Sequence, residues 1–213
     1  MRRTLLTLAA AAVLAAPASA QTAGKSYELR TYYADPGRLD DLHARFRGHT
    51  LPLLQRHGAE VVGTWVPKPN PDHAVVALLA YPSAAERSAV WTRIVADPQW
   101  SAMKRRTDGR GLLVRAIDEL PLEAAGPVDL PGKLGELELR THPAGTDPAG
   151  ALARFRSNKS PAGGLLALHP RAKTPDRVVT AGETLVSALV AVQATDAEPK
   201  VLVLAPTDYS PRK

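Results

Sequence analysis

The chain has 213 residues with a formal net charge of +6, no cysteine, and its Lys and Arg scattered among Asp and Glu. Without cysteine there are no disulfides, no thiolate nucleophiles and no Cys-metal sites. A charge spread this evenly does not form the basic stripe that nucleic acid requires, so weak attraction to acidic surfaces is all it supports.

The first twenty residues read as an export signal. Arg2 and Arg3 form a positive start, Leu5 to Ala16 an uncharged apolar run, Pro17 a break, and Ala18-Ser19-Ala20 a small-x-small cleavage pattern. The apolar run is shorter than the roughly 20 residues that span a bilayer. Cleavage is expected after Ala20, which leaves a chain beginning at Gln21 with a charge of +4, periplasmic or secreted, with no integral membrane segment.

Tyr27 to Tyr33 is rich in aromatic and β-branched residues and is followed by a turn signal, the pattern of a strand. Asp35 suits an N-cap and Pro36 the first helical position. Leu39, Leu42, Phe46, His49 and Leu53 then fall on one apolar helical stripe, with Pro52 bending the helix and Gly58 stopping it. Ala59 to Val66 reads as a second strand. His73 to Tyr81, nearly continuous in apolar residues, reads as a third, covered on both faces. Ser83 and Glu86 make a capping box for a helix to about Val95. Asp97-Pro98 starts a short helical segment with Trp100 and Met103, and Gly111 to Glu119 is a fourth strand. The order is β-α-β-β-α-β, the ferredoxin-like arrangement.

The chain also repeats itself. Glu28-Leu29-Arg30-Thr31 returns as Glu138-Leu139-Arg140-Thr141, Asp35-Pro36 as Asp147-Pro148, and Ala44-Arg45-Phe46-Arg47 as Ala153-Arg154-Phe155-Arg156. The expected organisation is a leader at 1–20, a first unit at 21–120, a Pro- and Gly-containing linker at 121–132, and a shortened second unit at 133–213. That second unit opens with a strand from Leu134 to Thr141 and a helix from Pro148 to about Ser157. Gly164 to His169 is read as its second strand, Thr184 to Gln193 as its third and Lys200 to Ala205 as its last. An alternative makes Glu183 to Ala194 a helix and Arg177 to Thr180 the third strand.

Several segments resemble the NIPSNAP family of dimeric α/β-barrel proteins: Tyr27-Glu28-Leu29-Arg30-Thr31-Tyr32, Leu51-Pro52-Leu53-Leu54 with His57-Gly58, Val62-Gly63-Thr64-Trp65, and Asp97-Pro98-Gln99-Trp100. The tail Thr207-Asp208-Tyr209-Ser210-Pro211 is similar to that of exported tandem members. The resemblance implies an α+β fold in which two tandem ferredoxin-like units pack their antiparallel sheets into one intrachain α/β barrel, helices outside, as a monomer or a homodimer. It names no reaction, since a fold hosts many.

No phosphate loop, nucleophile elbow, His-Glu-x-x-His or dinucleotide fingerprint is present. His43, His49 and His57 are not spaced to meet on one helical turn, so no metal and no cofactor are expected. His49, on the apolar stripe, is either a hydrogen-bonded core residue or the base of a pocket. Glu28 and Arg30 share a strand face with Tyr32. They form either a structural ion pair at the seam between the sheets, repeated by Glu138 and Arg140, or an anion-binding arginine. With Trp65 and Tyr81, the ligand-binding candidates are Arg30, Tyr32, His49, Trp65 and Tyr81. The expected role is binding of a small hydrophobic ligand or a protein partner. The alternative is a cofactor-independent monooxygenase or isomerase using His49, and a third reading makes the second half a structural cap.

Overall fold

A computed structural model of the chain describes residues 24–125, 128, 130, 132–142, 153–157, 165–170 and 200–212. The expected leader, residues 148–152 of the expected second-unit helix, and both readings of residues 177–194 lie outside them.

In the first half β1 (Ser26–Ala34) runs antiparallel between β3 (Ala74–Tyr81) and β4 (Val114–Ala124), and β3 pairs in turn with β2 (Glu60–Pro67). The second half supplies β5 (Leu137–His142), β6 (Ala153–Ser157), β7 (Leu165–Pro170) and β8 (Lys200–Pro206). Around the barrel the order is β1-β3-β2-β8-β5-β7-β6-β4, and it closes. Each half thus contributes its strands in the order fourth, first, third, second. The second strand of each half joins the fourth strand of the other, at Trp65↔Pro206 and Leu122↔Ser157. Closure leaves none of the described strands with a free edge, so the edge-driven pairing that an open sheet invites does not arise here.

Alternation along the strands makes two cores. Tyr27, Leu29, Trp65, Leu78, Leu139 and Leu204 fill the barrel interior. Tyr32, Phe46, Leu54, Leu79, Tyr81 and Ile94 fill the layer between the first sheet and its helices. All eight residues of β3 are buried, as expected of a strand covered on both faces.

Those helices are α1 (Leu39–Arg45), α2 (Leu51–Arg56), α3 (Ala84–Ala96) and α4 (Pro98–Thr107). Two expected caps form: Ser83 Oγ accepts from Glu86 N at 3.1 Å, and Asp97 Oδ1 from Gln99 N at 2.7 Å. Gly58, at φ +96°, ends α2.

Other expectations are corrected. Asp35 does not cap α1: Gly37 at φ +76° turns the chain, and the helix begins at Leu39 behind Arg38. A π-turn, Phe46–Thr50, joins α1 to α2, with Leu51 N donating to Phe46 O. Pro52 has no N–H to give the preceding turn, and the wider π-turn precedes it. The extra residue rotates the stripe, so Thr50 is buried where a regular helix would have placed His49, which is half-exposed. β4 continues to Ala124, into the stretch read as linker.

In the second half, Ala153–Ser157 is a strand rather than the end of a helix. Its likeness to Ala44–Arg47 therefore does not mark equivalent elements. β7 is the third strand of its half, not the second. Only residues 143–152 separate β5 from β6, where residues 35–59 separate β1 from β2.

Candidate functional site

The outward faces of β1 and β4, under α1, α3 and α4, form the walls of a cleft. β1 sends Glu28, Arg30 and Tyr32 outward because its alternate residues Tyr27 and Leu29 fill the barrel. Two adjoining pockets, each of about 360 Å³, share Tyr32, Trp100 and Ile117. One extends past Phe46, Thr50 and Lys104 towards Leu112, the other past Arg87 and Trp91 towards Val95. Each lies within the size range of ligand sites. Three of the large apolar residues exposed on this protein, Val95, Leu112 and Ile117, lie on its walls.

At one end is a buried polar cluster. The Glu28 carboxylate, 0% exposed, accepts from Tyr81 Oη at 2.8 Å, Trp91 Nε1 at 3.0 Å, Arg87 Nη1 at 3.3 Å and Arg30 Nη1 at 3.5 Å. Arg30 Nη2 donates to Glu119, and the guanidinium lies over the Trp91 ring, 3.8 Å from its centroid. Burial works against the charge on Arg30, but Tyr32, Glu28 and Glu119 outweigh it and its pKa is raised. Burial also pushes the Tyr32 phenol up to about 12, against the pull of Arg30, so it remains protonated. The Tyr81 phenol is raised by burial and by Glu28.

At the other end Tyr32 meets Phe46 edge to face at 4.8 Å. Arg45 lies 3.5 Å from Asp108 and over Trp100 at 5.5 Å, its pKa lowered by burial. Lys104 has no ion-pair partner among the described residues.

Buried polar atoms normally find partners. Arg30 Nε, Arg87 Nε and Thr50 Oγ1 have none, and all three belong to residues that line this cleft.

Of the five sequence candidates, the structure brings Arg30, Tyr32 and Tyr81 together, the last through Glu28. Trp65 is fully buried in the barrel interior, its Nε1 without a partner, away from the cleft. His49 lines neither pocket. The Glu28–Arg30 pair sits on the outward face beneath α3, not at the seam between the sheets, which runs through β2–β8 and β4–β6. Its counterpart Glu138–Arg140 forms too, at 2.7 Å, but half-exposed. Arg87 is not among the sequence candidates, although its spacing of four from Trp91 on one helix is a readable sign of a shared face.

The barrel interior holds a second cavity, of about 990 Å³, whose lining includes Leu29, Leu120, Leu139, Leu202 and, near one end, Thr141 and Lys200. None of the five candidates lines it. Among the described residues no group of three His, Asp or Glu is placed to hold a metal ion, and no helix is long and apolar enough to cross a membrane.

Two antiparallel sheets closed into one barrel, with helices packed outside the first and a cleft beneath them, define an α+β protein of the ferredoxin-like α/β-barrel class. The NIPSNAP family pattern matches residues 27–119, the region that holds the cleft. An uncharacterized NIPSNAP domain protein of Burkholderia xenovorans is 24% identical over 50% of this chain and 98% of its own, with a TM-score of 0.42. A NIPSNAP family protein of unknown function from Agrobacterium tumefaciens is 21% identical over 46% of this chain and 86% of its own, with a TM-score of 0.41. A monooxygenase-like protein of Lactobacillus acidophilus covers 85% of this chain and 93% of its own, with a TM-score of 0.50. At 6% identity that likeness is one of fold alone. No curated protein matches the chain.

Proposed function

We propose that this protein binds a small, flat, hydrophobic ligand in the cleft between the first sheet and its helices. The observation that carries the reading is the apolar wall itself. Ile117, 42% exposed, Leu112 and Val95 lie open to solvent around Tyr32 and Trp100, where a bound molecule would cover them. An enzymatic reading with His49 as base needs that residue at the ligand, and His49 is not among the lining residues.

The test is quenching of tryptophan fluorescence by a neutral flat probe, 2-naphthalenemethanol, with native mass spectrometry of protein purified without added ligand. Saturable quenching that Ile117→Glu abolishes, without a change in melting temperature, is expected. Equal binding by wild type and variant would remove the cleft as the site.

The same strand order in both halves, with Glu28–Arg30 and Glu138–Arg140 at matching places, supports two copies of one unit. The leader pattern at 1–20 supports a role after export, and sequencing of the periplasmic protein is expected to begin at Gln21.

A further inference from the structure

We infer that the ligand of this cleft is an aromatic carboxylate, received between Arg30 and Arg87. This rests on the binding reading above and names the chemistry it selects.

A guanidinium offers five N–H groups in a rigid fork, well matched to a carboxylate. Glu28 takes one Nη1 from each arginine, and Glu119 takes Nη2 of Arg30. Each arginine keeps a buried Nε–H without an acceptor, and both arginines line the same pocket. An unmet N–H removed from water is costly, and a ligand oxygen relieves it. Glu28 is sealed and already accepts four donors, so the acceptor must come from outside the cluster.

Charge selects an anion over a neutral oxygen. Arg30, Arg45, Arg87, Lys104 and Arg115 line the two pockets against Glu28, Asp108 and Glu119, an excess of two positive charges. The other lining residues include the aromatic side chains of Trp91, Trp100 and Tyr32 and the aliphatic Val95 and Ile117, which suit a flat aromatic body.

The experiment compares 2-naphthoate with 2-naphthalenemethanol on the full-length protein, by calorimetry and tryptophan quenching. The carboxylate is expected to bind at least about tenfold more tightly, as charge-assisted hydrogen bonds exceed neutral ones. Arg87→Gln should abolish that preference, read as the ratio of the acid's affinity to the alcohol's. Should Arg87→Gln fail to fold, Arg87→Lys keeps a charge for Glu28 but loses the fork, and the preference should fall several-fold. Equal affinity for acid and alcohol overturns the inference and leaves the hydrophobic site standing. A preference that survives both variants overturns the placement at Arg30 and Arg87. Binding of neither probe overturns both readings.

Discussion

The Arg30 guanidinium sits over the ring of Trp91, 3.8 Å from its centroid, while the Nε1–H of that same indole donates to Glu28 at 3.0 Å. One side chain thus holds a buried cation by its face and the partnering anion by its edge. Trp91→Phe keeps a ring over Arg30 but removes the N–H, and should cost about 1.5–3 kcal/mol, the worth of a hydrogen bond to a charged group. Trp91→Ala loses the ring as well and should cost about 3–5 kcal/mol. Urea unfolding of the two variants measures the difference.

The repeated Glu-x-Arg pairs share a spacing and differ in burial. Glu28 has no exposed surface and answers four donors, so Glu28→Ala removes the acceptor that Arg30, Arg87, Tyr81 and Trp91 share and should cost about 3–5 kcal/mol. The second pair has side chains 39% and 24% exposed, and Glu138→Ala should cost no more than about 1 kcal/mol. Equal losses in chemical denaturation would contradict the difference in environment.

Gly63 is required by Trp65. A Cβ at position 63 would overlap the Cη2 and Cζ2 atoms of the indole, which folds back over the strand on the same face. Gly63→Ala should therefore destabilise by about 1–3 kcal/mol, the cost of overpacking a filled core, and alter the near-ultraviolet circular dichroism of Trp65. A neutral substitution would show that the indole has room to move.

Acid should loosen the contact between the tail and α1. His43 Nδ1 lies 2.7 Å from Tyr209 Oη, and burial raises the Tyr209 phenol, so the hydroxyl is the donor and His43 the acceptor. Burial lowers the His43 pKa, against Asp40 and Asp208, with Arg47 adding to the lowering. The folded state thus favours the neutral ring. As pH falls below about 6.5, where the unfolded histidine takes its proton, stability should decline until the folded pKa is passed. His142, also lowered by burial, acts in the same direction. Unfolding free energies between pH 7.5 and 5 should fall, and His43→Gln should remove part of that slope. An unchanged slope would mean that the ring is not protected on folding.

How far each half was legible follows from local signals. Asp97-Pro98 and the Ser83–Glu86 box set helix starts through groups a few residues apart, so they appear in the structure as read. The first stripe misled at His49 because period-3.6 reasoning assumes a regular helix, and the π-turn before Pro52 inserts a residue and buries Thr50 instead. Ala153–Arg156 misled for a different reason. A four-residue likeness to helical Ala44–Arg47 carries less weight than the pairing of β6 with both β4 and β7.

By itself, the sequence determined that the first half is β-α-β-β-α-β, that its third strand is covered on both faces, and that Glu28, Arg30 and Tyr32 share a strand face. These properties follow from periodicity and caps within one segment. Only the tertiary structure decided that the two halves close into one barrel, and that Arg87 and Trp91 descend from α3 onto Glu28. Those contacts join residues 59 and 63 positions apart, and only packing, in which a sealed carboxylate must gather every donor within reach, brings them together.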